Sequence, residues 1–216
     1  MSYTATPYSN GSVQELMRLK NLPPSADSPA LFMAPPLLHD SESGLYISQT
    51  QAIVSHLARK LGMAPDDPDK LTVAEMVVAN CNDVLADLSR NNGHQMWSPG
   101  EWAEFIHEEN GRFIKWLRLF ECIGVKYGLS SDAGFVLGTP AATFADTSVF
   151  ALWAMMERSL PGLSPILRRH APKIMALCDR LGTNVGLAAF FSSQPASPYC
   201  GGQIERSIRS VVGGTN

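Results

Sequence analysis

Hydrophobic spacing divides the chain into two regimes. Residues 1–62 mix short strand-like runs, turns and two helical patterns, whereas residues 70–193 read as almost entirely helical. Between them GMAPDDPDK (62–70) carries two prolines and three aspartates, a linker that ends in a helix start. In the first regime Ser12-Val-Gln-Glu15 has the form of a capping box, with Ser12 at the N-cap and Glu15 three residues on. It opens a short helix, VQELMRLKNL, which Pro23-Pro24 stops, because proline has no amide hydrogen and its ring clashes with the preceding turn. Leu37-Leu38 and Leu45-Tyr46-Ile47 are apolar runs on either side of the turn-rich HDSESG, which predicts a β-hairpin. From Thr50 the period changes: Ile53, Leu57 and Leu61 recur every four residues, as on one face of a helix.

The second regime is more regular. Ala74, Val77, Val78, Cys81, Val84, Leu85 and Leu88 share one helical face. Trp102, Phe105, Ile106, Phe113, Leu117 and Phe120 predict a second long helix. Thr143-Phe-Ala-Asp146 is another capping box, with Asp in place of the usual Glu, and its role is assigned to folding alone. The helix it opens, DTSVFALWAMMERSL, is apolar nearly all round and is expected at the centre of a bundle. Leu167 belongs to one further helix and Ile174, Leu177 and Leu181 to another, divided at Pro172. The tail SSQPASPYCGGQ shows no period and is expected to wrap the surface.

Composition narrows the function classes. With 216 residues, 45% of them apolar and 17% charged, the chain has enough material for a large buried core. A net charge of −3 gives no pull toward nucleic acid, and Arg168-Arg169-His170, the densest basic group, reads as a helix surface. No run approaches the roughly 18 apolar residues of a membrane span, and the N-terminus lacks the order of a secretory signal, so a cytoplasmic protein is expected. Cys81, Cys122 and Cys178 fall on apolar helix faces, leaving Cys200 in the tail as the exposed thiol. Neither the cysteines nor the five histidines have metal-ligand spacing, and no metal is expected.

Four motifs carry a family resemblance. Pro36-Leu-Leu38 followed by His39-Asp40 resembles the cis-proline strand start of the glutathione transferase family. Gln49-Thr50 followed by Ala52-Ile53 resembles its Gln-Ser/Thr element, and Ala145-Asp146 within TFADTSVF its second-domain capping box. Pro198-Tyr199 with Gly202-Gln-Ile204 is similar to the tail of fungal members, of the kind that serve secondary-metabolite biosynthesis. The resemblance spans residues from about 11 to 206. It implies an α/β plus all-α protein: an abbreviated thioredoxin-like domain (1–62) that binds glutathione, a linker (63–69), and an all-helical C-terminal domain (70–216). It also implies a homodimer, with no nucleic-acid or membrane partner.

The resemblance further implies roles for single residues. Pro35 and Pro36 would expose a backbone edge that pairs with the cysteinyl part of glutathione, although Pro35 can only accept and cannot donate. Gln49 and Thr50 would hold the γ-glutamyl carboxylate where helix amides and the helix dipole favour an anion; equally, Thr50 or Ser48 would simply cap that helix. Asp83 would reach the γ-glutamyl amine from the dimer partner, or stand as a solvated helix aspartate. Asn91, His94 and Trp97, in SRNNGHQMW, would border the second-substrate pocket, with His94 either a proton donor or a surface residue. The family's thiol-activating residue normally precedes all of these. Only 34 residues precede Pro35, about one strand and one helix fewer than the family pattern, so YTATPY registers either as the second strand or as the first. Tyr8, Ser9, Asn10 and Ser12 are the remaining candidates, and each also reads as a turn or cap residue. Little is needed from them. Lowering a thiol pKa by two units takes about 2.7 kcal/mol, and one hydrogen bond to a charged group supplies about 1.5–3 kcal/mol.

The expected chemistry is addition of glutathione thiolate to an electrophilic olefin, ending either in conjugation or in trans/cis isomerisation of the double bond. The alternative from another class is a non-catalytic interaction module built on the same fold.

Overall fold

The computed structural model describes residues 12–28, 30–91, 93–193 and 202–212. The chain divides into two compact units, residues 1–60 and 61–216. In the first, α1 (Ser12–Asn21) is followed by β1 (Leu37–Asp40), β2 (Leu45–Ser48) and α2 (Thr50–Lys60). The two strands form an antiparallel hairpin with Leu37 opposite Ser48 and Asp40 opposite Leu45. The strands reach further into HDSESG than the apolar runs predict, because His39 and Asp40 pair across the hairpin. The His39 ring stacks on Tyr46 at 4.2 Å, and Asp40 ties the turn by accepting from the Glu42 amide and the Ser43 hydroxyl. Only Ser41–Gly44 remain as turn, with Gly44 supplying a φ of 71°. Helix α2 ends at Lys60, so Leu61 lies beyond it and is half exposed; Ala58 is the residue α2 buries instead.

The second unit is helical: α3 (Pro68–Ser89), α4 (Pro99–Phe105), α5 (Arg112–Lys126), α6 (Phe144–Ser159), α7 (Ser164–His170), α8 (Pro172–Gly182), α9 (Val185–Ser193) and α10 (Gly202–Val212). Asp67 starts α3 by accepting from the amides of Asp69 and Lys70 at 2.8 and 3.1 Å, with Pro68 in the first helical position. Helix α6 is central, packing against α3, α7 and α8, and its Trp153 is fully buried with Phe113 and Phe120 of α5 around the ring. Its start is fixed by Asp146, which is inaccessible to solvent. One carboxylate oxygen accepts from the Thr143 amide and hydroxyl, and the other from the Val136 amide, all at 2.8 Å. Burial pushes the Asp146 carboxyl above its ordinary range, with these hydrogen bonds opposing the shift.

Two expectations fail in this unit. The long helix from Trp102 to Phe120 is two helices. The chain turns at His107–Gly111, where the Gly111 amide donates to the His107 carbonyl at 2.8 Å and a Cβ on Gly111 would overlap the His107 backbone. The expected surface-wrapping tail, SSQPASPYCGGQ, lies for the most part outside the described residues, and the chain then continues into a regular helix not among the expected elements, α10. Its Ser207 and Ile208 are buried, and Ile204, Ile208 and Val212 repeat every four residues. Cys122 is exposed, because α5 buries Phe120, Ile123 and Gly124 and turns position 122 away from that face. Cys81 and Cys178 are buried, which pushes both thiols up to about 12; Cys200 lies outside the described residues. None of the described helices is long and apolar enough to cross a membrane.

Candidate functional site

In the first unit, hairpin register brings two sequence motifs to one end. The Pro35–Pro36 peptide is cis, and Pro36 leads directly into Leu37, which pairs with Ser48. Ser48 leads directly into Gln49 and α2, so Pro36 and Gln49 flank the same cross-strand pair at the open end of the hairpin. All four of Pro35, Pro36, Gln49 and Thr50 are exposed there. Gln49 has φ 72°, a left-handed conformation uncommon for a residue with a side chain. Its carbonyl accepts from the Ile53 amide at 3.0 Å, so Gln49 holds the cap position and Thr50 is the first helical residue. Neither Thr50 nor Ser48 stands at the cap. The amides of Thr50, Gln51 and Ala52 therefore have no helical carbonyl to donate to. The first turn of α2 carries no acidic side chain and the last turn carries Arg59 and Lys60, leaving the N-terminal end open to an anion.

At the other end of the hairpin, Asp40 joins the strands to α2. Its Oδ2 accepts from Lys60 Nζ at 2.7 Å and lies 2.9 Å from His56 Nε2, while Glu42 pairs with Lys60 at 2.7 Å. Lys60, Ser43 and His56 together hold the Asp40 carboxyl well below the usual carboxylate range. This cluster is not legible from spacing, since its partners lie 16 and 20 residues from Asp40.

Of the thiol-activating candidates, Tyr8, Ser9 and Asn10 lie outside the described residues. Ser12 begins α1, but its side chain lies outside the described set.

In the second unit, Asp83 is exposed on α3. One turn on, Asp87 accepts from Trp116 Nε1 at 2.7 Å and from Arg112. Helix α3 ends at Ser89, with Arg90 as its left-handed C-cap at φ 43°, and Asn91 follows, also left-handed, at φ 56°. Asn91 and His94 are exposed on this loop, and the His94 amide donates to the Asn91 carbonyl at 3.1 Å. Trp97 is half-buried: its indole donates to the Leu88 carbonyl at 3.1 Å, and its backbone amide donates to Ser207 Oγ at 2.6 Å. Arg90 lies 4.6 Å above the Trp97 ring and pairs with Glu101 at 2.7 Å, and Arg90 and Ser98 hold the Glu101 carboxyl down to about 2.

Trp97 also lines a cleft of about 890 Å³ among α3, α4 and α5, with Arg90, Glu101, Phe105 and Lys115 on its walls. Of the three residues expected at a second-substrate pocket, Trp97 is on this lining and Asn91 and His94 are not. The cleft is not legible in the sequence, because apolar spacing predicts one helix across the turn at His107–Gly111 that folds α5 back beside α4.

A family model described as glutathione S-transferase, C-terminal domain, matches residues 73–211. The chain is also similar to a monomeric glutathione S-transferase, Na-GST-3, from the human hookworm parasite Necator americanus. Identity is 18% and the TM-score 0.64, over 87% of this chain and 83% of that one. A Pi-class glutathione S-transferase of Onchocerca volvulus is similar at 18% identity and a TM-score of 0.60, over 84% of this chain and 86% of that one. No curated protein sequence matches the chain. The likeness shows a shared fold, which in this chain is a short two-stranded sheet in a thioredoxin-like first part followed by a helical second part.

Proposed function

The chain belongs to the glutathione S-transferase family through its C-terminal domain, and from that premise we propose that it binds glutathione at the open end of the hairpin and uses the thiolate against an electrophilic olefin. The observation that carries this reading is the register that sets Pro36 beside Gln49, at the start of a helix with unpaired first-turn amides and no acidic residue. An extended tripeptide lying against Pro35-Pro36 would hydrogen-bond to backbone there. Its γ-glutamyl carboxylate would then fall to the amides and hydroxyl of the Gln49-Thr50 corner. Asp83, exposed on α3, would serve the γ-glutamyl amine of the partner copy in a homodimer. In the second unit, Trp97 and Phe105 give the cleft an aromatic wall suited to a flat conjugated olefin, with Lys115 available to a polar substituent.

In the proposed reaction the thiolate sulfur forms a C–S bond to the β-carbon of the activated olefin, and the π pair moves onto the activating group. Protonation at the α-carbon completes a conjugate. Alternatively, the new single bond rotates, the same electron pair returns, and the thiolate leaves an olefin of altered geometry. The tail motif at Pro198-Tyr199 and Gly202-Gln-Ile204 favours a role among fungal secondary-metabolite enzymes, for which either outcome is useful.

Thermal melting with reduced glutathione tests the binding reading. At 100 times its Kd a ligand stabilises the fold by about 2.7 kcal/mol, which raises Tm by several degrees. Gln49→Ala and Thr50→Ala should shrink the shift. No shift in the wild type at millimolar glutathione refutes the proposal and favours the interaction-module alternative. Incubation with an α,β-unsaturated carbonyl then separates the outcomes: added tripeptide mass means conjugation, and unchanged mass with altered geometry means isomerisation.

A further inference from the structure

We propose that Asp40 is a positioning residue for the glutathione site, fixing the angle of α2 against the hairpin so that the first-turn amides stay aimed beside Pro36. The inference rests on the functional reading above. Helix α2 is joined to the hairpin through the single residue Gln49, at φ 72°. An 11-residue helix is about 16 Å long, so a tilt of about 10° about that junction moves its far end by roughly 3 Å. A displacement of that size breaks a hydrogen bond. Conversely, bonds made at the far end hold the near end in direction.

Asp40 makes those bonds. It closes β1 at the hairpin tip, and its partners His56 and Lys60 are four residues apart on one face of the second half of α2. The Asp40 side chain is only 9% exposed, and His56 and Lys60 are 24% and 25% exposed, so the cluster is shielded more than an ordinary surface ion pair. Glu42 also meets Lys60, but its side chain is 80% exposed and it sits in the turn rather than in a strand. Apolar packing alone is a weak guide to the angle. Ile53 and Leu57 are half-buried and Ala58 is the fully buried residue of α2, and burial of that kind has no preferred direction. Charge-assisted hydrogen bonds do have one.

The test measures reduced-glutathione affinity by calorimetry for the wild type, Asp40→Ala, Lys60→Met and Glu42→Ala. Asp40→Ala and Lys60→Met should weaken binding by about tenfold or more, as expected when a binding group is misaimed. Glu42→Ala should stay within about twofold, since it leaves the Asp40 contacts in place. In a conjugation assay the KM for glutathione should rise in the two weakened variants while kcat at saturation holds, a split that general destabilisation does not produce. Where Asp40→Ala does not fold, Lys60→Met decides alone, because methionine matches lysine in helix propensity. Wild-type affinity in Lys60→Met and in any folded Asp40→Ala overturns the positioning role and leaves the functional reading intact. Failure of the wild type itself to bind glutathione overturns both.

Discussion

Replacing Asp146 with alanine probes the start of the central helix, and the structure sets the size of the effect. The two carboxylate oxygens serve different donors: Oδ2 accepts from the Thr143 amide and hydroxyl, and Oδ1 from the Val136 amide. Val136 and Asp146 are fully buried and Thr143 is nearly so. Alanine therefore leaves two backbone amides without an acceptor where water does not reach, at about 1–3 kcal/mol each. Against this stands relief of the burial that pushes the Asp146 carboxyl upward, which offsets part of the loss. The net expectation is a destabilisation of about 2–4 kcal/mol, a large share of the roughly 5–15 kcal/mol of a typical domain. Asp146→Asn should fall between. Its carbonyl oxygen replaces one acceptor, while its NH2 group faces the other amide and cannot accept from it. Urea unfolding with an unchanged m-value reads the difference directly. A loss below about 0.5 kcal/mol in the alanine variant, or an asparagine variant less stable than alanine, would refute the two-oxygen account.

Two further outcomes follow from charge and burial. Glu101 titrates near 2 in the folded protein against an ordinary 4.5, held down by Arg90 and then Ser98. Its pKa is depressed, so its contribution to stability is present above pH 4.5 and is lost as pH falls toward 2. Glu101→Gln should remove that acid dependence, seen as a wild-type advantage in urea stability at pH 5.5 that narrows by pH 3; a constant gap would contradict it. For the thiols, a Cys200→Ser background should give fast modification by a disulfide reagent at Cys122 alone, with Cys81 and Cys178 reacting only on unfolding. Rapid native modification of all three would mean that α3 and α8 do not bury their thiols.

What the sequence made legible was short in range. The hairpin, the start of α2, the break at Pro172 and the Thr143–Asp146 box are each set by residues within about one turn of one another, so period and cap chemistry expose them. Position 111 shows the limit. Trp102, Phe105 and Ile106 fall in helical phase with Phe113 and Leu117 across the polar stretch His107–Arg112, yet a close backbone approach that only glycine tolerates divides the segment there. Helix α10 was hidden by the proline- and glycine-rich residues before it, although its own isoleucines keep helical spacing. At the candidate site, Pro36 and Gln49-Thr50 are legible because each is a short motif at one end of a predicted strand, and the hairpin sets the two side by side. Asp40 and the cleft beside Trp97 are not, because His56, Lys60 and the α4–α5 turn reach them only through the folded backbone. Cys122 escapes its expected burial for a simpler reason: an apolar helix has neighbours on several sides, and spacing alone does not say which side is covered.

The hydrogen bond between the Trp97 amide and the Ser207 hydroxyl joins positions 110 residues apart. Closing a loop that long has an entropic penalty that local turns and caps avoid, so this contact forms after the helices between have docked. During synthesis, the loop after α3 emerges long before α10 does. Until α10 arrives, the Trp97 amide lacks its Ser207 partner and the seat later taken by Ile208 stays uncovered. The helical unit is therefore finished from its far end. A nascent chain stalled short of Ser207 presents an incomplete apolar surface of the kind that chaperones hold and proteases recognise.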